Sequence, residues 1–183
     1  MNRNPLTVSV NGAEHVLSVP GDRRLLDLLR DELGLMGVRE GCGVGACGTC
    51  TVLLDGVPVN ACLTLAVTTR GRSVTTIEGL ARDGELHPVQ QAFLEERGFQ
   101  CGFCTPGMIL TAVGLLRENP SPTVEEVTDY LGGNLCRCAG YPDMIRAVLR
   151  GAERCREAGG RPSATPEGPE AARLRAMGKG EEG

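Results

Sequence analysis

Tryptophan is absent from the 183 residues, and only three phenylalanines and two tyrosines are present. Phe93, Phe99, Phe103, Tyr130 and Tyr141 are too few to build a stacking platform for nucleobases. No basic block occurs, and 19 Lys and Arg against 23 Asp and Glu leave a formal net charge of −4. That balance excludes nucleic acid and an anionic membrane surface as main partners. Long apolar runs are also missing. The most apolar stretch, 108–116, is far shorter than the roughly 20 residues needed to span a bilayer, so no membrane span is expected. The start of the chain lacks the apolar segment of a secretory signal. A twin arginine at Arg23 and Arg24 does not supply one, because Asp27 and Arg30 break the apolar run behind it. Histidine is limited to His15 and His87, read as two separate surface residues. Two such histidines argue against a Rieske centre, which needs a pair on one cluster.

What remains is an ordinary folded composition, 41% hydrophobic and 23% charged, with one outlier. Nine cysteines occur in a chain long enough to bury a core without staples. With no secretory signal, the expected compartment is reducing and cytoplasmic, and the cysteines point to metal or redox chemistry rather than disulfides.

Along the chain, Leu6, Val8 and Val10 alternate, Asn11-Gly12 turns, and Val16–Val19 returns as a hairpin. Asp22 is placed to cap a helix carrying Leu25, Leu28, Leu29 and Leu33, which Gly34 ends. A glycine-rich loop, 41–48, leads to a second hairpin around Asp55-Gly56 and a short strand at 73–77. Hairpin, helix and further strands predict an α+β domain over residues 1–80. From about residue 85 the period becomes helical. Pro88 opens one helix, Thr105-Pro106 a second, the Thr123 and Glu126 capping box a third, and Pro142 a fourth. Short loops between them predict a helical bundle over 85–157. The remainder, 158–183, has the Gly- and Pro-rich composition of an unpacked tail, with Glu170–Met177 able to form a helical turn on a partner subunit.

Eight of the nine cysteines fall into two quartets. Cys42, Cys47, Cys50 and Cys62 read C-x4-C-x2-C-x11-C, and the opening spacing matches that of plant-type 2Fe-2S ferredoxins. The interleaved glycines let a loop curl round a small cluster and turn its N–H groups toward sulfur. Structural zinc is the alternative; it favours paired C-x2-C knuckles without such glycine density. Cys101, Cys104, Cys136 and Cys138 read C-x2-C-x31-C-x-C, and this spacing does not separate iron-sulfur from zinc. Cys155, on the apolar face of the last helix, reads as a buried thiol. Arg137, between two candidate ligands, either faces a partner, tunes the local charge or is solvated.

Three segments carry a resemblance: GCGVGACGTCTVLLDG (41–56), QCGFCTPGM (100–108) and GGNLCRCAGY (132–141). In this order they are similar to the motifs of the small iron-sulfur subunit of the molybdenum hydroxylases, the xanthine oxidase family. The resemblance spans about residues 5–155 and leaves the tail uncovered. It implies an N-terminal plant-ferredoxin-like (β-grasp) domain followed by a C-terminal helical-bundle domain, each with one 2Fe-2S cluster. Cys42, Cys47, Cys50 and Cys62 would hold the flavin-proximal cluster. Cys101, Cys104, Cys136 and Cys138 would hold the molybdenum-proximal one, and Gln100 would contact the pterin.

The resemblance further implies a large molybdenum-pterin subunit, a medium FAD subunit and a dimer of heterotrimers. In this family water supplies the oxygen inserted at a C–H bond, and the two electrons released pass singly through such a chain to FAD. Its substrates include aldehydes and N-heterocyclic aromatics. The loop Gly43-Val44-Gly45 differs from carbon monoxide-oxidising relatives and favours an organic substrate. No paired carboxylates or nucleophile-base pair marks bond chemistry on this chain. Two other readings stay open: a freestanding two-cluster ferredoxin, and a two-zinc scaffold without redox function.

Overall fold

In the computed structural model of the chain, which describes residues 3–159, Asn11 and Gly12 both take left-handed backbone angles. A two-residue type I′ turn demands this, and these residue types tolerate it. Strands β1 (Arg3–Val10) and β2 (Ala13–Pro20) pair antiparallel across the turn, with Val10 opposite Ala13. Asp55 and Gly56 repeat the device between β3 (Thr51–Leu54) and β4 (Val57–Asn60). The short strand β5 (Ser73–Thr75) inserts between the hairpins, parallel to β1 and antiparallel to β3. The sheet order is β2-β1-β5-β3-β4.

One helix crosses this sheet. It begins as α1 (Leu25–Asp27) and widens into a π turn at Leu28–Glu32, where Leu33 N–H reaches Leu28 C=O at 3.1 Å. Leu25 and Leu26 of α1 and Leu28 and Leu29 of the π turn all enter the core with Leu6, Val8, Val52 and Val74. Asp22 does not cap it. Arg24 occupies the cap position in extended conformation, without a side-chain cap bond, and its guanidinium pairs instead with Asp27 and Glu40.

The four expected helices are present as α2 (Pro88–Glu95), α3 (Thr105–Glu118), α4 (Val124–Leu131) and α5 (Tyr141–Glu157). The box at the start of α4 forms as its residues predict, Thr123 Oγ1 accepting from Glu126 N–H and Glu126 accepting from Thr123 N–H. His87 departs from its expected surface position. It is buried, and its Nδ1 accepts from Val89 N–H at 3.2 Å while Gln90 accepts from its own N–H. The imidazole thereby plays the capping part usually given to Ser, Thr or Asp. Cys155 is buried on α5, as its position predicts.

Helix α3 is buried from Pro106 to Leu116 and ties the two halves together. Leu53 of β3 belongs to the same apolar cluster as Met108, Val113 and Leu116. Two glycines make the approach close. A Cβ on Gly107 would lie 2.7 Å from the Gly48 carbonyl, and one on Gly114 would lie 2.2 Å from Pro58 Cγ. Among the described residues no helix is long and apolar enough to cross a membrane. Apart from Ala158 and Gly159, the tail and the helical turn expected at Glu170–Met177 lie outside the described residues.

Candidate iron-sulfur sites

The first quartet is carried by the loop between the π turn and β3, with Cys62 arriving from the end of β4. Gly43 and Gly45 hold positive φ angles of 71° and 76°. These wrap the loop so that the N–H groups of Val44 and Ala46 donate to Cys42 Sγ at 3.4 and 3.3 Å. Donation from Val44, then the Cys47 thiol, holds the Cys42 thiol down at about 7. Burial pushes Cys50 the other way, up to about 12. Cys42 is hydrogen-bonded with Cys47 and Cys50 with Cys62, and Cys47 also bears electrostatically on Cys50.

The second quartet repeats the pairing with different parts. Cys101 and Cys104 precede α3, and Cys136 and Cys138 lie in the irregular loop between α4 and α5. Cys101 pairs with Cys138 and Cys104 with Cys136. Cys101 is exposed, and its thiol is lowered chiefly by the N–H of Phe103; burial pushes Cys104 up to about 12. Tyr141 fixes the loop. Its hydroxyl accepts from Cys136 N–H at 2.9 Å and donates to Asn134 C=O at 3.4 Å.

The two quartets open on one cavity of about 350 Å³, bordered by Cys42 and Cys47 from one and by Cys101, Cys104 and Cys136 from the other. Hydrogen bonds lock the loops together at this point. Leu135 N–H donates to Cys47 C=O at 2.9 Å. The buried Asn134 amide donates to Gly48 C=O and accepts from the Thr111 hydroxyl, both at 3.0 Å. Asn134 and Tyr141 belong to the segment 132–141, but their type and spacing do not disclose these contacts. Gln100 is exposed immediately before Cys101, and Arg137 is exposed between its cysteines.

Among the described residues no three or more His, Cys, Asp or Glu side chains gather as one metal ion requires. Two sulfur pairs per site suit a cluster whose two irons each take two thiolates. A single tetrahedral zinc would instead draw four sulfurs about one point. The donor set and the N–H groups aimed at sulfur therefore fit 2Fe-2S chemistry.

Sequence families agree with the geometry. Residues 8–69 match a 2Fe-2S iron-sulfur cluster binding domain, and residues 76–149 match a [2Fe-2S] binding domain. The chain is 48% identical over 155 residues to the nicotinate dehydrogenase small FeS subunit of Eubacterium barkeri, covering 85% of this chain and 99% of that one. It belongs to the small iron-sulfur subunits of the molybdenum hydroxylases. It is also 48% identical over 148 residues to the nicotine 6-hydroxylase small subunit of Paenarthrobacter nicotinovorans, covering 81% and 89% of the two chains. The crystal structure of quinoline 2-oxidoreductase from Pseudomonas putida 86 superposes with a TM-score of 0.81 at 42% identity, covering 86% of this chain and 98% of that one. An electron-transfer role within a multi-subunit oxidoreductase is thereby established, with larger partner subunits and two 2Fe-2S-binding domains on this chain.

Proposed function

We propose that the chain passes single electrons from a molybdenum-pterin centre on a large subunit to FAD on a medium one, during oxidation of an N-heterocyclic aromatic or an aldehyde. The names of the relatives, nicotinate dehydrogenase and nicotine 6-hydroxylase among them, support the heterocyclic class. A bound 2Fe-2S cluster supplies one-electron chemistry at each site. Cys101, Cys104, Cys136 and Cys138 hold the molybdenum-proximal cluster, and Cys42, Cys47, Cys50 and Cys62 the flavin-proximal one. Gln100, exposed beside Cys101, faces the pterin of the large subunit. The ferredoxin-like part is residues 1–80 and the helical part 85–157. The complex is a cytoplasmic dimer of heterotrimers.

The observation that carries this reading is the shared cavity between two paired quartets, closed by the bond from Leu135 to Cys47. The protein's contribution is placement. Val44 and Ala46 N–H groups bear on Cys42, burial withdraws Cys50 and Cys104 from water, and Tyr141 holds the Cys136 backbone. Exposed apolar side chains flank both loops, Val44 and Leu63 at the first and Phe103 and Leu135 at the second. These support docked partners rather than a freestanding ferredoxin. Cys62→Ser and Cys104→Ser in the whole complex test the assignment. Each is expected to delete a different one of two paramagnetic signals of the reduced protein, and a variant that kept both would refute its ligand set.

A further inference from the structure

Arg39 lies in the ferredoxin-like part, three residues before Cys42, yet its side chain serves the other quartet. Its Nη1 donates to the Gly102 carbonyl at 2.5 Å, 63 residues away. Gly102 sits between Cys101 and Cys104. The guanidinium also lies over the Phe103 ring, 5.5 Å from its centre. The backbone behind it is anchored, since Val38 is buried in the first core and its carbonyl accepts from Arg30 at 2.7 Å.

No carboxylate forms a salt bridge with Arg39 among the described residues. Its neighbour Glu40 is engaged by Arg24 at 3.0 Å. A full positive charge, half-buried and un-neutralised, is therefore fixed against the Cys101–Cys104 turn. Among the described residues the exposed Arg137 has no such anchor.

A 2Fe-2S cluster with four thiolates is anionic, and one added electron makes it more so. A fixed cation nearby favours the reduced form, and partial burial weakens the screening that water would otherwise impose. We propose that Arg39 is a positioning residue that raises the reduction potential of the cluster held by Cys101, Cys104, Cys136 and Cys138. One half of the chain thereby sets the redox poise of the other. The inference rests on the ligand assignment proposed above.

The test is a reductive titration of the whole complex, followed by electron paramagnetic resonance, for the native protein and for Arg39→Gln and Arg39→Lys. Cys104→Ser identifies which signal belongs to the helical part. In Arg39→Gln that signal is expected to shift to lower potential by about 59 mV, a tenfold fall in the ratio of reduced to oxidised cluster. The other signal is expected to stay in place, and Arg39→Lys to remain near the native value. Arg39→Met, which keeps the aliphatic stem over Phe103, gives the same reading if Arg39→Gln loses iron. An unchanged potential in the uncharged variants, an equal fall in Arg39→Lys, or loss of the cluster from both uncharged variants would overturn the proposal. If Cys104→Ser keeps both signals, the ligand assignment itself fails; if it deletes one and Arg39→Gln does not move that signal, only the inference about Arg39 fails.

Discussion

The backbone N–H of Leu135 donates to the carbonyl of Cys47 at 2.9 Å, so the residue before Cys136 is bonded directly to a member of the other quartet. This contact and the neighbouring Asn134 amide fix how the two cysteine loops face each other. Backbone groups, the buried Asn134 amide and the Arg39 side chain thus all bridge the two cysteine loops.

Asn134 is expected to be the most sensitive side chain of that junction. Replacing it with Ala removes one of the bonds to the Gly48 carbonyl, which keeps those from the Thr51 N–H and hydroxyl, and takes the acceptor from the buried Thr111 hydroxyl. An unsatisfied buried hydroxyl costs about 1–3 kcal/mol. Thermal unfolding of the complex is expected to move to lower temperature, and the magnetic interaction between the reduced sites to weaken. An Asn134→Ala protein with native unfolding and native splitting would show that the junction is held elsewhere.

Gly114→Ala gives a prediction of sign. On helix propensity alone, alanine would stabilise α3 by about 1 kcal/mol. The added Cβ, however, would stand 2.2 Å from Pro58 Cγ, where α3 meets the β3–β4 hairpin. Overpacking of this kind costs roughly 1–3 kcal/mol, so the net change is expected to be destabilising. Chemical denaturation distinguishes the two signs.

His87 gives a pH dependence. Burial, followed by the charge of Arg82, pushes its imidazole from 6.5 down to about 4. The folded protein keeps the ring neutral while the unfolded chain takes up a proton, so between these values the unfolded state binds more protons. Stability is therefore expected to fall as pH drops from 6.5 toward about 4, by up to about 1.4 kcal/mol per pH unit from this group. His87→Asn retains a capping side chain without the titration. Melting temperatures of the two proteins are expected to diverge below pH 6.5 in favour of the variant, and parallel curves would contradict the account.

Local devices were the legible part of this fold. Asn11-Gly12, Asp55-Gly56 and the Thr123 and Glu126 box each act within a few residues, and each forms as its residue types dictate. The spacing and interleaved glycines of the loop 41–50 are local too and mark the first quartet, whereas Cys101–Cys104 and Cys136–Cys138 lie too far apart in sequence for spacing alone to define their chemistry. Contacts between distant segments were not legible. Nothing in the sequence around Arg39 or Leu135 names Gly102 or Cys47 as a partner, and these contacts exist only once α3 has packed on β3. The π turn after α1 escaped for another reason. Leu25, Leu28, Leu29 and Leu33 look like one face of an ordinary amphipathic helix, and nothing in that pattern marks the widening at Leu28–Glu32 or the burial of Leu26. His87 misled because histidine is an uncommon cap, and only its tertiary burial reveals the part it plays.

The ninth cysteine separates ligands from bystanders. Burial pushes the Cys155 thiol up to about 11, and its neighbours are the apolar side chains of the helical core. Cys155→Ala is expected to retain the full iron content and both paramagnetic signals of the reduced complex. Loss of iron would place this residue in a metal site.

Two distinct 2Fe-2S clusters on one chain have a direct spectroscopic signature. Electron paramagnetic resonance of the dithionite-reduced complex, with iron and zinc counted on the same sample, tests for it most directly. Two different 2Fe-2S signals are expected, with two irons for each and no stoichiometric zinc. A colourless, magnetically silent protein rich in zinc would contradict this.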